Sequence, residues 1–129
     1  MRLLVFYISI ISLLSFNAFA VTYKESAKVT YKKFSGSKKQ EVIDQAYNEA
    51  CKKGLKKYTN TFDEKTYQIY RKVKDQIEGS LLDYIICDIL DDNQDKKAKT
   101  YTIVVKVEIL ERDLNALLID ENTDIGETK

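Results

Sequence analysis

The clearest secondary-structure signal in the chain is TYTIVVKVEIL, at residues 100–110. Apolar and polar residues alternate along it, and a period of two with β-branched and aromatic side chains is typical of a strand with one buried face. The polar face would carry Thr102, Lys106 and Glu108. The apolar face would carry Tyr101, Ile103, Val105, Val107 and Ile109.

Two further segments indicate strands that pair with this one. Residues 80–90, SLLDYIICDIL, are apolar at both parities, which favours an inner strand covered on one face and partly on the other. Residues 91–99 form a polar stretch, so we predict a nine-residue turn and an antiparallel hairpin. Residues 21–34 alternate more loosely and predict a first strand.

Helical periodicity marks the segments between and after these strands. A long helix is predicted over residues 38–58, begun by a capping box at Ser37 and Gln40. A second helix is predicted over residues 63–79, and a short third one over residues 111–118. On the long helix the small residues Ala46, Ala50 and Gly54 recur every fourth position beside Ile43, and we expect this stripe to face the strand at residues 100–110.

The element order is therefore β-α-α-β-β-α. An α+β fold, with a three-stranded antiparallel sheet and helices packed on one face, buries these apolar stripes most simply. We predict a single domain over residues 21–118 and a flexible tail over residues 119–129.

The N-terminus, MRLLVFYISIISLLSFNAFA, has the pattern of a secretory signal peptide at residues 1–20. Arg2 precedes an apolar run, and Ala18 and Ala20 are small residues at the positions that signal peptidase requires. We predict cleavage after Ala20 and a periplasmic or secreted mature chain with no transmembrane segment. The first cysteine is Cys51, so no acylated N-terminal cysteine is expected.

Composition excludes several classes of function. Removal of residues 1–20 takes away Arg2 and no acid, which leaves 20 bases against 20 acids and argues against nucleic-acid binding. The chain has no His, which excludes Ser-His-Asp triads and histidine zinc sites. Its four glycines form no phosphate-binding loop, which excludes a P-loop or dinucleotide-binding fold. Asp91, Asn93 and Asp95 have the spacing of a calcium loop, but Lys96 and Thr102 stand where a glycine and a glutamate belong. We therefore predict no enzymatic activity, no cofactor and no metal site.

Lysines and tyrosines are the other side chains that stand out. Tyr occurs nine times, and eight tyrosines follow residue 20, mostly at core-facing parities; use in the core is favoured over a ligand-stacking surface. Six lysines of the long helix share it with Glu41, Asp44 and Glu49, which favours a solvent-exposed face. If these lysines bind a ligand, anionic lipid head groups or glycans are expected. The lysines concerned are Lys38, Lys39, Lys52, Lys53, Lys56 and Lys57.

The two cysteines leave two alternatives. Cys51 lies on the flank of the long helix's apolar face, and Cys87 shares parity with Ile85 and Ile89 on an apolar strand. In an exported chain this pair predicts a Cys51–Cys87 disulfide. The alternative is two small, buried, free thiols.

Residues 39–118 carry a pattern that resembles a known family. The pattern is Val42-Ile43 with Ala46 and Ala50, Gly79 followed by Leu82, Tyr84, Ile86 and Leu90, and the strand at residues 101–107. It is similar to the N-terminal domain of flagellar assembly protein T and to related small bacterial envelope lipoproteins. The resemblance implies an α+β domain of the cell envelope that acts by protein–protein contact as a scaffold or ring component. The chain departs from it by lacking the acylated cysteine and the further domains of the flagellar protein.

Two functions are consistent with these observations. The first is a non-catalytic exported module that contacts other envelope proteins, for which an exposed apolar strand edge would be the structural mark. The alternative is a secreted ligand-binding or inhibitor-type protein with a tyrosine-lined surface, for which a pocket above about 300 Å³ would be the mark.

Overall fold

The computed structural model describes the backbone of residues 20–127 and the side chains as far as residue 121. The element order is β-α-α-β-β-α, as predicted. The elements are β1 (Thr22–Thr30), α1 (Gly36–Thr59), α2 (Glu64–Gly79), a 3₁₀ turn (Leu81–Asp83), β2 (Ile85–Asp95), β3 (Thr100–Ile109) and α3 (Glu111–Glu127). The predicted cleavage site after Ala20 depends on residues that lie mostly outside the described part of the chain.

The three strands form one antiparallel sheet in the order β1-β3-β2. The alternating strand β3 is therefore central, and its five predicted core residues are each at most 4% exposed. The other face of the sheet carries polar side chains, among them Lys24, Lys28 and Lys106. The predicted fold class, a three-stranded antiparallel sheet with helices, is confirmed.

Helix α1 lies against the sheet through its small-residue stripe. Ala46 and Ala50 are fully buried, and a Cβ atom added at Gly54 would lie 2.6 Å from the Val107 side chain. A glycine is needed here because the helix backbone approaches the central strand too closely for any side chain. The predicted contact between this stripe and β3 is thus present.

Helix α2 lies beside α3 and the 3₁₀ turn rather than flat on the sheet. It begins at the N-cap Asp63, whose carboxylate accepts a hydrogen bond from the backbone N–H of Thr66 at 2.7 Å. The buried residues of these helices join the main core; they are Tyr70, Val73 and Ile77 of α2 with Leu114 and Leu118 of α3.

The hairpin differs from its prediction. Strand β2 runs from Ile85 to Asp95, so the predicted strand at residues 80–90 and the predicted turn at residues 91–99 are both shifted. Residues 91–95 pair with the start of β3, and the Asp95 carboxylate closes a short turn by accepting the N–H groups of Lys97 and Ala98 at 3.1 Å each. Residues 81–83 instead form the 3₁₀ turn, which buries Leu81.

Two helix ends also differ. Helix α1 begins at Gly36, ahead of the predicted capping box, after an N-cap Ser35 that makes no side-chain capping hydrogen bond. Gly36 has a φ of 56°, a conformation that glycine adopts at little cost. Helix α3 continues to Glu127, well past the predicted end at Leu118 and through most of the segment predicted to be a flexible tail.

Candidate functional site

Strand β2 forms one edge of the sheet, and large apolar side chains are exposed along this edge. Among the described residues, four of the five exposed large hydrophobic side chains lie within residues 82–90. They are Leu82, Ile86, Ile89 and Leu90, between 44% and 60% exposed, and we call them the edge patch. The prediction of an inner strand here is wrong: β2 lies at the edge, although apolar residues at both parities usually indicate burial on both faces.

The backbone of β2 is partly occupied on its outer side. In an antiparallel ladder, residues alternately point their N–H and C=O groups toward the neighbour and away from it. On the outer side the Cys87 carbonyl accepts a hydrogen bond from the Tyr47 hydroxyl at 2.7 Å, and the Asp92 N–H donates to the Asp91 carboxylate at 2.9 Å. A register shift between Ile89 and Asp91 divides the strand into two pairing segments.

All charged side chains of β2 are negative. The strand carries Asp88, Asp91, Asp92 and Asp95 and no lysine or arginine. A second copy of the same strand would therefore bring carboxylates toward carboxylates, which disfavours pairing of this edge with itself. The edge combines apolar side chains with negative charge.

The opposite edge, β1, is covered by lysines. Lys24 and Lys28 are exposed on the strand itself. Lys53 of α1 donates to the Ser26 carbonyl at 2.7 Å, and Lys57 pairs with Glu25 at 2.6 Å between Nζ and Oε2. Lysines at an edge are a common protection against strand addition, so the two edges of this sheet are chemically different.

A second candidate site is a cleft between α1 and α2. This α1–α2 cleft has a volume of about 320 Å³. Leu55, Thr59 and Tyr70 form its floor and are nearly fully buried. Its rim carries four lysines, Lys52, Lys53, Lys56 and Lys74.

The cleft floor contains a neutral polar group. Burial raises the pKa of Tyr70 to about 12. The nearby Glu78 and Tyr67 add to this increase, and the side-chain hydrogen bond with Thr59 opposes it. Tyr70 is therefore an uncharged hydroxyl at any physiological pH. Its ring packs edge-on against Phe62 and lies near Tyr67, which gives this end of the cleft an aromatic wall.

The structure brings the two cysteines together. Cys51 and Cys87 form a disulfide with a Cα–Cα distance of 6.0 Å, so the first of the two alternatives is correct. The bond joins α1 to the edge strand β2, next to the hydrogen bond from Tyr47 to Cys87. It is compatible with an oxidising, extracytoplasmic compartment.

The structure also places the tyrosines, the lysines of α1 and the predicted calcium-loop spacing. All eight tyrosines after residue 20 are buried or half-buried, in agreement with their predicted use in the core. Lys52, Lys53 and Lys56 border the cleft, whereas Lys38 pairs with Glu41 and Lys39 lies over the Phe34 ring. Asp91, Asn93 and Asp95 lie along strand β2, opposite β3, and not in a loop.

Comparison of the chain with protein-family models, with curated proteins and with solved structures gives no match. Within residues 20–127 no helix is both long enough and apolar enough to cross a membrane.

Proposed function

We propose that the chain is a non-catalytic, exported interaction module that receives an extended, basic segment of another envelope protein along the β2 edge. The observation that carries the proposal is the edge patch. A long outer strand with three exposed aliphatic side chains, Ile86, Ile89 and Leu90, is the usual mark of a surface that another chain covers.

Strand addition is the binding mode that this edge supports. An added strand gains main-chain hydrogen bonds from the edge, and its alternate side chains contact the edge residues. Two of the outward groups already have partners, since the Cys87 carbonyl accepts from Tyr47 and the Asp92 N–H donates to Asp91. An added strand would pair with the remaining outward groups.

The charge of the edge selects the partner. Asp88 lies opposite Lys106 of β3, whereas the other three aspartates face no base across the ladder. These three attract an extended segment in which lysine or arginine alternates with aliphatic residues. The same charge disfavours a second copy of this chain. Assignment of the partner to the cell envelope rests on the N-terminal sequence and on the resemblance to flagellar and lipoprotein domains.

The test uses defined synthetic peptides and the ¹⁵N-labelled mature chain. One peptide alternates valine with lysine, and its matched control alternates valine with glutamate. We expect the basic peptide to shift the backbone amide signals of Ile85–Asp95, with an affinity that decreases as salt increases. The acidic peptide should leave these signals unchanged.

A pair of variants tests the location. Ile89→Lys combined with Leu90→Lys should weaken binding of the basic peptide by roughly tenfold or more. Ile119→Lys, at a position on α3 that is 62% exposed, is the matched control and should bind as the parent does. Signal changes centred on β1, equal binding of both peptides, absence of binding, or self-association through β2 would each overturn the proposal.

A further inference from the structure

The α1–α2 cleft is separate from the β2 edge, and its composition indicates a small ligand. Its floor is apolar and aromatic, and its rim is cationic. At about 320 Å³ it lies at the lower end of the range for small-molecule pockets, which is roughly 300–1,000 Å³. It is small for a groove that holds a peptide helix.

The charges of the cleft do not cancel. Four lysines face two glutamates, Glu49 and Glu78. Each glutamate already has a partner, since Glu49 accepts from Gln45 at 3.2 Å and Glu78 lies 3.9 Å from the Lys52 ammonium. Lys53 is held over β1 by the Ser26 carbonyl, so its stem borders the cleft while its charge lies to one side.

The two other lysines are the cations that a ligand would meet. In the described part of the chain, neither Lys56 nor Lys74 forms an ion pair with a carboxylate. Lys56 lies on α1 and Lys74 on α2, and both line the cleft together with Tyr67. An anionic head group between them would have two cations beside it and an apolar surface below it.

We infer that the α1–α2 cleft binds a free single-chain amphiphile with a carboxylate head, of the medium-chain fatty acid class. Its head lies between Lys56 and Lys74. Its chain lies along Tyr67 and the aliphatic stems of the rim lysines, over the buried Leu55 and Tyr70. Charge complementarity selects the head, and the Tyr67 ring with the lysine stems contacts the chain. The Tyr70 hydroxyl remains neutral, so it does not repel the carboxylate.

The probe is decanoate, titrated into the ¹⁵N-labelled mature chain below the concentration at which decanoate forms micelles. We expect saturable shifts of signals from residues lining the cleft. Decanol, which lacks the charge, and acetate, which lacks the chain, should each bind about tenfold more weakly or worse.

Variants at exposed positions keep the fold intact and test the contacts. Lys56→Gln combined with Lys74→Gln should weaken decanoate binding by about tenfold or more. Lys28→Gln combined with Lys106→Gln, on the open face of the sheet, removes the same charge and should leave binding unchanged.

Three results would overturn the inference. The first is decanoate binding that is unaffected by the Lys56 and Lys74 substitutions. The second is absence of decanoate binding while an acidic peptide or phosphatidylglycerol vesicles bind at the same lysines. The third is signal changes that centre on the β2 edge.

Discussion

Substitution of Gly54 by alanine tests the contact that positions α1 on the sheet. The added Cβ would lie 2.6 Å from both Cβ and Cγ2 of Val107 and 2.7 Å from its Cγ1. Val107 is fully buried in the central strand, and its β-branched side chain has little freedom to rotate away. The helix must therefore move back from the sheet.

The size of the effect follows from two opposing contributions. Overpacking of a filled core costs roughly 1–3 kcal/mol, and more where the backbone has to shift. Alanine favours a helix interior over glycine by about 0.8–1 kcal/mol. Because the backbone has to shift here, we expect the upper end of the steric cost, about 3 kcal/mol, which leaves a net loss of about 2 kcal/mol in the free energy of unfolding.

Urea unfolding of the disulfide-bonded mature chain, followed by circular dichroism, measures this difference. Gly79→Ala is the matched control, because Gly79 ends α2, has no heavy atom within 4 Å of an added Cβ and does not have a positive φ. It should be neutral or slightly stabilising. In a Val107→Ala background the cost of Gly54→Ala should shrink but persist, since the Val107 Cβ remains at 2.6 Å. A Gly54→Ala protein as stable as the parent would refute the close approach of α1 to β3.

Four further outcomes are expected. Free-thiol titration of the unfolded, unreduced chain should find no thiol, and the Cys51→Ala, Cys87→Ala variant should lose roughly 4 kcal/mol on the chain-entropy model for a separation of 36 residues; two thiols per chain would contradict the bond. Burial raises the pKa of Tyr58, Tyr70 and Tyr101 from 10.0 to about 12, with hydrogen bonds to Glu111 and Asp92 adding to it at Tyr58 and Tyr101. The folded state holds these protons more tightly, so the contribution of the tyrosines to stability should be complete below pH 10 and be lost between pH 10 and 12; thermal melts across this range check it, and Tyr101→Phe should reduce the loss. Lys57→Ala leaves the half-buried Glu25 without its cation and should destabilise the chain, whereas Lys38→Ala at an exposed pair should have almost no effect on the melting temperature. Intact-mass measurement of the exported protein should show a chain that begins at Val21, and a chain that begins at Met1 would contradict cleavage after Ala20.

The fold could be predicted from the sequence where one periodicity was strong. Strand β3 alternates cleanly because one of its faces is buried and the other open, and the small-residue stripe of α1 identifies the face that packs against it. The hairpin was misplaced because Asp91 to Asp95 look like a turn by composition. Pairing with β3 and the closing hydrogen bonds of Asp95 keep them extended, and no local propensity indicates this.

The candidate surfaces were harder to predict than the fold. The lysines of α1 were visible as a group, but only the position of α2 shows that three of them share a cleft with Lys74. The edge location of β2 follows from the order of strands in the sheet. The alternation of apolar and polar residues along a strand does not indicate that order. One local signal was present: the predicted strand at residues 80–90 contains Asp83 and Asp88, and carboxylates are unusual in a strand that is buried on both faces.

The disulfide holds the edge strand β2 against helix α1. The central strand β3 is held by ladders on both sides, whereas β1 and β2 each have a ladder on one side only. Cys87 ties β2 to α1 through the disulfide, and the Tyr47 hydroxyl adds a hydrogen bond to the same residue. An edge strand fixed in this way keeps its outward backbone groups in one geometry, which lowers the entropy that a partner strand loses on pairing. The covalent bond therefore lies on the edge strand to which the proposed partner would attach.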